Sequence, residues 1–358
     1  MKELNLLYKP DASQASARME AYWEKAILDR PPVLLTAPKP NPQPLPQKKH
    51  ATLAERWMDV EFVVESGAVT VANTYWAGDG LPMVWPNLGP EILTACFGAP
   101  LTFGQDTSWS KPILEDWADI PKLAIDQNSP HLQTILAMQK LSLEMGKDKW
   151  ITGLTDIHPG ADLAASFRDP QQLCVDLMDA PEQVHALMRQ IFWAFFDFYN
   201  MQRELMLAAG QTVTCAWLPM YCTDGRYYIP SCDFSIMVSN EMYREFFLPE
   251  LLAEIAWLDR TVYHLDGPGA LRHLDTLLDI GQLDAIQFVY GDGAKPASRW
   301  MHVFKRIQAG GKNLHITIEP REVDTFMENL RPEGVMLQME AASVEEADAV
   351  LQKIAGWK

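Results

Sequence analysis

Four β-like runs near the C-terminus constrain the fold of this chain more than any other feature, because each one ends beside residues that can do chemistry. The runs begin near Thr261, Ala285, Leu314 and Val335, and the polar residues that follow them are His264 with Asp266, Tyr290 with Asp292, Glu319, and Glu340. Segments with helical spacing lie between them, at 269–280, 297–309 and 321–330. Alternating strands and helices with polar groups after the strands are typical of a parallel α/β barrel.

The length of 358 residues suits one such barrel with an N-terminal extension. Strand-like segments occur eight times, around Pro32, Ala68, Ile151, Val213, Val262, Ala285, Leu314 and Val335. We therefore predict a single α/β domain, a (β/α)8 TIM barrel over residues 51–358. Residues 1–50 are predicted to form an amphipathic helix, roughly 12–28, and an extended Pro-rich arm that pack on the barrel.

The charge of the chain restricts its partners. A formal net charge of −17 and a pI near 4.9 argue against nucleic acid and anionic membranes, which both require a basic surface. The five cysteines form no CxxC pair, and no apolar stretch approaches the length of a membrane span or a signal peptide. We expect a soluble cytoplasmic protein with a small-molecule substrate. Similar barrels commonly dimerise, so a homodimer would be natural, although no residue indicates it.

An aromatic segment between Asn73 and Gly89 is predicted to line a pocket. It is too broken by glycine and proline for a regular element and too aromatic for a solvated linker. The candidate substrate-binding aromatic residues are Tyr75, Trp76, Trp85, Trp109 and Trp217. Together they would suit a flat substrate or a cationic methyl group, although about half of such a set is normally plain core.

Other polar residues follow the earlier strands. Asp156 and His158 come after the strand at Ile151 and suit an acid–base pair or a second pair of metal ligands, unless His158 is only a loop residue packed under proline. Arg226 and Tyr228 are candidates to hold a substrate carboxylate, because the loop after the fourth strand must cross the barrel mouth. The alternative is an ordinary surface loop.

Two blocks of the sequence resemble segments of a known superfamily. Residues 232–251, CDFSIMVSNEMYREFFLPEL, are similar to the D-x-x-x-x-S-P-x-x-[FY]-x-x-F-x-x-P-x segment of the uroporphyrinogen decarboxylase superfamily, with Asn240 where proline is usual. Residues 151–184 are similar to its G-x-x…L-x-G…D-L-x-x-x-P-E-x-V block. The resemblance extends from about residue 85 to the C-terminus. It implies the barrel fold and adds Asp233 to the candidate substrate-binding residues.

The run His264-Leu-Asp266-Gly267 sits where the corrinoid methyltransferases of that superfamily have a zinc-binding His-x-Cys-Gly. The resemblance therefore implies a divalent metal, zinc or another, held by His264, with Asp266 and Glu340 near the positions of two cysteines and Glu319 as a further ligand. Oxygen ligands would leave zinc more Lewis acidic and would admit other first-row metals. The alternative is that Asp266 and Glu340 cap helices and that His264 lines the pocket in another polar role.

Three activities remain open at the level of the sequence. The first is a divergent enzyme related to the corrinoid and thiol methyltransferases, which moves a methyl group from a small methylated donor to a corrinoid protein or a thiol, with Asp156, His158 and His264 as catalytic residues. The second is a metal-free decarboxylase of a tetrapyrrole or another carboxylated substrate. True uroporphyrinogen decarboxylases have an arginine-rich segment near the N-terminus, and this chain lacks it. The third is a non-catalytic barrel that binds a small molecule.

Overall fold

A seven-stranded sheet lies at the centre of the fold. The computed structural model describes residues 4–117, 122–291 and 295–358, so Asp292 lies outside the described residues. The strands in these ranges are β1 Val33–Pro38, β2 Thr74–Trp76, β3 Met83–Val84, β4 Leu101–Phe103, β5 Ser108–Ser110, β6 Ile151–Thr152, β7 Thr214–Cys215, β8 Tyr221–Cys222, β9 Tyr227–Tyr228, β10 Arg260–Asp266, β11 Ala285–Val289, β12 Asn313–Thr317 and β13 Val335–Glu340.

Helices connect most of these strands. They are α1 Ala12–Trp23, α2 Leu53–Trp57, α3 Val60–Asn73, α4 Ile92–Cys96, α5 Pro130–Met145, α6 Gly160–Arg168, α7 Pro170–Asp179, α8 Pro181–Ile191, α9 Ala194–Ala208, α10 Asn240–Met242, α11 Leu248–Trp257, α12 Gly267–Ala270, α13 Leu274–Leu278, α14 Met301–Ala309, α15 Val323–Asn329 and α16 Val344–Ile354. A 3-10 turn at Asp233–Met237 and a π-helical turn at Tyr243–Phe247 lie between β9 and α11.

The strand order in the central sheet is β2-β1-β13-β12-β11-β10-β9, and every neighbouring pair is parallel except β1 with β2. The four C-terminal strands predicted from the sequence are β10 to β13, which lie side by side. This sheet confirms the α/β class. Because parallel strands need long connections, helices lie between them in the chain and pack against the sheet.

The remaining strands form short pairs, so the closed eight-stranded barrel stays a prediction. β3 pairs with β6 in parallel, and β7 pairs with β8 in the antiparallel sense. The backbone N–H of Leu154, just after β6, donates to the carbonyl of Cys215 in β7 at 2.9 Å. The domain boundary at residue 50 likewise stays a prediction. The predicted Pro-rich arm spans residues 38–49; Pro38 ends β1, and residues 39–49 contain no helix or strand.

The strand predicted near Ala68 is wrong, because this segment belongs to α3. Valine favours strands, but Val64 and Val71 lie seven residues apart and both are buried on one face of the helix. Asp59 caps the helix by accepting the N–H of Phe62 at 3.1 Å. The next strands after α3 are β2, at Thr74–Trp76, and β3, at Met83–Val84.

Helix α1 covers the amino ends of the strands. Its Tyr22 hydroxyl donates to the carbonyl of Leu314 at 3.3 Å, and its Trp23 indole donates to the carbonyl of Tyr221 at 3.1 Å. No helix in the described ranges is long and apolar enough to cross a membrane.

A network of ion pairs, here called the amino-end cluster, joins Arg18, Asp29, Arg30 and Asp79. Asp79 is fully buried, and its two carboxylate oxygens lie 2.9 Å from Arg18 Nη1 and 2.5 Å from Arg30 Nη1. Arg18 also pairs with Asp29 at 2.6 Å. Asp79 additionally accepts the N–H of Val33 at 2.9 Å, which fixes the start of β1. Each buried charge in this cluster is therefore balanced.

Candidate functional site

Strand β10 places two predicted site residues on the same face of the sheet. The hydroxyl of Tyr263 lies 3.4 Å from that of Tyr243 in the helical layer. Because side chains alternate along a strand, His264 and Asp266 flank Leu265 and face away from those helices. Both side chains are partly exposed at the carboxyl end of the strand.

The segment after β9 brings Asp233 to the same place. The N–H of His264 donates to the carbonyl of Pro230 at 2.9 Å, and Ser231 forms a parallel bridge with His264. Asp233 begins the 3-10 turn two residues later. One ligand atom from each of Asp233, His264 and Asp266 lies within 4.8 Å of the others.

A second group of side chains meets Asp233 from the end of β6. His158 Nδ1 lies 3.7 Å from a carboxylate oxygen of Asp233 and 3.9 Å from one of Asp162, and His158 Nε2 lies 3.2 Å from Asp156 Oδ1. Asp233 is therefore shared by the two groups. We call the six residues the rim cluster: Asp156, His158, Asp162, Asp233, His264 and Asp266.

Hydrogen bonds hold these segments together. Asp162, in the first turn of α6, accepts the backbone N–H groups of Asp233 at 3.1 Å and of Phe234 at 2.8 Å. Tyr228 is fully buried, and its hydroxyl donates to the carbonyl of Thr155 at 2.9 Å. Tyr228 thus supports the end of β6, and nothing in its contacts indicates the predicted role of holding a substrate carboxylate.

A hydrogen bond from the neighbouring strand orients the imidazole of His264. His264 Nδ1 lies 2.7 Å from Gln287 Oε1, and because an amide oxygen only accepts, Nδ1 is the donor. This leaves the lone pair of Nε2 free for a ligand, the usual arrangement for a histidine that binds a metal. The ring of Trp217 packs edge-to-face on His264 with 5.2 Å between the ring centroids.

The rim cluster perturbs the protonation of its members. Burial disfavours the charged form of His158, but Asp156, Asp162 and Asp233 outweigh burial and raise the pKa of His158 to about 10. Burial, together with the charge of Asp233, raises the pKa of Asp162 to about 7. Burial and Asp233 also raise the pKa of Asp266, while His264 opposes them. The site therefore carries excess negative charge.

The donor set fits a divalent cation. Asp233 Oδ1 is buried and has no hydrogen-bond partner. Within the described ranges, no lysine or arginine forms an ion pair with any carboxylate of the rim cluster. A buried carboxylate oxygen without a hydrogen-bond partner is unfavourable, and a cation held by Asp233, His264 and Asp266 would supply the missing charge. Two carboxylates and an imidazole suit zinc, manganese or iron.

The structure does not bring the two predicted glutamate ligands to this position. Glu340 is exposed at the end of β13, three strands away from β10, which corresponds to about 14 Å across a sheet. Glu319 caps the turn at Pro320–Glu322 and pairs with Arg321. In the described residues, Asp233 rather than either glutamate joins His264 and Asp266.

Arg226 lies at the opposite end of the strands. Its carbonyl accepts the N–H of Arg260, at the start of β10. Asp266 is six residues further along that strand, about 20 Å away. The guanidinium of Arg226 lies 4.6 Å from the centre of the Trp257 ring, and its Nε donates to Asp259 at 3.2 Å. The structure therefore does not bring Arg226 to the rim cluster.

The predicted aromatic wall is dispersed over the molecule. Tyr75 donates to Asp348 of α16 at 2.8 Å. Trp76 donates to the carbonyl of Val71 at 3.2 Å and packs in a small separate cluster. Trp109 is 48% exposed on β5, and Trp85 lines a surface cavity of about 420 Å³. Among these five aromatic residues, only Trp217 packs its ring on a member of the rim cluster.

Sequence reasoning missed Asp162 and Gln287 as site residues. Asp162 follows His158 by four residues and lies in the first turn of a helix, where a carboxylate is common for structural reasons. Gln287 is the one polar side chain in the apolar strand β11, and a buried polar residue in such a strand is a usable signal.

No protein-family model matches this sequence, and no curated protein matches it significantly. The resemblance to the uroporphyrinogen decarboxylase superfamily therefore stays a prediction.

Proposed function

We propose that this chain is a metal-assisted methyltransferase, related to the corrinoid and thiol methyltransferases of the uroporphyrinogen decarboxylase superfamily. It moves a methyl group from a small methylated donor to a thiol or a corrinoid protein. The observation that carries the proposal is the convergence of Asp233, His264 and Asp266, with Asp233 Oδ1 buried and unpartnered.

A closed (β/α)8 barrel would explain this convergence. The cluster joins residues after β6, β9 and β10, and β6 has no direct pairing with the central sheet. The hydrogen bond from Leu154 to Cys215 supports a continuous ring through β3, β6 and β7. In such a barrel the carboxyl ends of the strands meet at one opening, where catalytic residues of this fold lie.

Asp233, His264 and Asp266 would hold the metal, and Gln287 would orient the imidazole. A bound metal supplies Lewis acidity, which polarises an oxygen of the donor or lowers the pKa of a thiol acceptor. His158 is the proton donor: when the methyl group leaves its heteroatom for the acceptor, that heteroatom takes the proton of His158. Asp156 Oδ1, 3.2 Å from His158 Nε2, stabilises the charged imidazolium.

The charge of the rim cluster favours a neutral or cationic donor. Four aspartates face two histidines, and Arg226, the predicted carboxylate anchor, lies at the other end of the strands. A tetrapyrrole with many carboxylates would be repelled by this site. The acidic site therefore supports methyl transfer more than tetrapyrrole decarboxylation.

A second candidate is a metal-free decarboxylase, which the protonation of His158 favours. A partly buried imidazolium, held charged by three carboxylates, is suited to protonate a carbanion after the loss of carbon dioxide. A substrate with a single carboxylate would be compatible with this reading. The third candidate, a binding protein without catalysis, predicts neither turnover nor a dependence on His158.

Metal content and turnover separate the candidates. Purified protein should bind about one zinc or manganese ion per chain, and His264→Ala and Asp233→Asn should lose it while Arg226→Gln retains it. Methyl transfer from a panel of methyl ethers, methylamines and methyl thioethers to a thiol or to reduced cobalamin should require the metal. A chelator-treated protein that still turned over a carboxylated substrate would overturn the proposal in favour of the decarboxylase.

A further inference from the structure

A row of polar side chains crosses the sheet from His264 of the rim cluster. His264 on β10 lies opposite Gln287 on β11, and Gln287 lies opposite His315 on β12. Residues directly opposite in parallel strands point to the same face. His315 therefore lies on the same face and at the same level as the proposed metal ligand His264, about 10 Å away across two strands.

His315 has an unused hydrogen-bonding atom. Its side chain is fully buried, and its Nε2 lies 2.9 Å from Gln338 Oε1. Because the amide oxygen accepts, Nε2 carries the hydrogen, and Nδ1 is left as an acceptor with no partner. Burial, together with nearby His264, lowers the pKa of His315 to about 4, so the ring is neutral.

Comparison with the other fully buried histidine shows that this arrangement is unusual within the chain. His273 is equally buried, but its Nδ1 contacts Asn240 at 3.2 Å and its Nε2 contacts the carbonyl of Ser235 at 2.9 Å. A histidine that only fills the core uses both nitrogens in this way, because an unpaired buried polar atom is unfavourable. His315 leaves one nitrogen for a group that is not part of the chain.

We propose that His315 is a substrate-binding residue, whose Nδ1 accepts a hydrogen bond from an uncharged O–H or N–H group at the end of the substrate away from its methyl group. This inference rests on the proposed function, which places the reacting methyl group near His264. The substrate class is then a small molecule with a methylated heteroatom at one end and a neutral hydrogen-bond donor at the other. A charged ammonium fits this position poorly, because none of the described contacts of His315 is with a carboxylate of the rim cluster.

The test uses two probes that differ by one donor, benzyl alcohol and benzyl methyl ether. An aromatic ring suits the face beside Trp217, which packs on His264. The wild-type protein should bind the alcohol about tenfold more tightly than the ether, because one neutral hydrogen bond is gained. Binding is measured by titration calorimetry, both with zinc and with a chelator present. The imidazole ¹⁵N shift of His315 Nδ1 should move with the alcohol only.

The variant His315→Phe should remove the preference, so that the two probes bind within about twofold of each other. His315→Gln keeps an amide acceptor and should retain part of the preference, which guards against a variant that fails to fold. His273→Phe is the matched control: it should lower the thermal midpoint and leave the preference intact.

The inference is overturned if the wild-type protein binds the probes equally, binds neither of them, or keeps its preference in His315→Phe. Failure of the proposed function is a different result, in which the alcohol is preferred but no methyl transfer occurs with any metal. Probe binding therefore tests the role of His315, and the methyl-transfer assay tests the proposed function.

Discussion

The amino-end cluster and the rim cluster are both charged and both lie at ends of the strands, but they differ in how the charges are balanced. In the amino-end cluster, Asp79 is fully buried between Arg18 and Arg30 and also accepts a backbone N–H. In the rim cluster, four aspartates surround two histidines, and Asp233 Oδ1 has no partner.

This difference is the one expected between a structural site and a functional one. Buried charges with matched partners hold segments in place, and at the amino end they tie α1 to the start of β1. Excess charge of one sign and unpaired polar atoms are unfavourable for folding, and they occur at sites that bind a ligand or perform chemistry. The pKa values of His158 and Asp162, raised to about 10 and about 7, belong to the second kind of site.

The largest effect should appear when one aspartate is removed from each cluster. Asp79→Ala leaves two guanidinium groups without their buried partner and should lower the free energy of unfolding by about 3–5 kcal/mol. Asp233→Ala relieves repulsion in the rim cluster and should change the free energy of unfolding by less than about 1 kcal/mol. Urea denaturation at pH 7 with a chelator measures both. Equal losses in the two variants would mean that the rim cluster is structural as well.

Metal affinity should respond only to the rim cluster. Asp233→Asn should weaken zinc binding by at least about 100-fold, and Gln287→Leu should weaken it by about 10- to 100-fold, because the His264 ring loses its orienting partner. Glu340→Gln should leave the affinity unchanged. Competition with a fluorescent zinc chelator gives the constants. A loss in Glu340→Gln would restore the ligand set inferred from the sequence and contradict the geometry.

The two clusters should also respond to pH with opposite signs. The pKa of His158 is raised from 6.5 to about 10, so its contribution to stability is complete below pH 6.5 and is lost as pH rises through about 10. The pKa of Asp29 is lowered from 3.8 to about 2, chiefly by its hydrogen bond with Arg18, so its contribution is present above pH 3.8 and is lost as pH falls through about 2.

The thermal midpoint of the metal-free protein should therefore fall between pH 6.5 and 10, and His158→Gln should flatten that limb alone. Asp29→Asn should flatten the acid limb alone. Differential scanning calorimetry across the pH range gives both curves. An alkaline limb that is identical in the wild type and in His158→Gln would contradict the protonation state assigned to the rim cluster.

The smallest effect is expected for Arg226, which belongs to neither cluster. Arg226→Gln removes a contact with the Trp257 ring and a partly exposed ion pair with Asp259, and should cost about 0.5–1 kcal/mol. Zinc affinity and methyl transfer should be unchanged. Any loss of substrate binding in this variant would show that the two ends of the strands are coupled.

The part of the site on β10 was predictable because it depends on local pattern. An apolar strand that ends in His264-Leu-Asp266 must place the two polar side chains on one face, whatever the rest of the fold does. Gln287 was detectable in principle, since it interrupts an apolar strand. The strand predicted near Ala68 was wrong because a valine-rich segment fits both the two-residue period of a strand and the 3.6-residue period of a helix. The structure shows a helix there, with Val64 and Val71 buried on one face.

The positions of the other proposed metal ligands depended on information that the sequence does not contain. Glu340, like Asp266, ends a strand, so the two residues look equivalent in the sequence, yet β13 and β10 are separated by two strands. Asp233 follows the short strand β9, and it reaches the site because β9 pairs directly with β10. The sequence also did not show on which side of a strand Arg226 lies. Arg226 directly precedes β9 and therefore lies at the amino ends of the strands, away from the rim cluster.

The sequence by itself determined that this chain forms an α/β fold and that chemically capable side chains follow its strands, because hydrophobic periodicity and turn residues are local properties. Only the tertiary structure decided which of those side chains meet. Strand order is set by packing between segments far apart in the chain, and it placed His158 from β6 and Asp233 from β9 against each other, 3.7 Å apart.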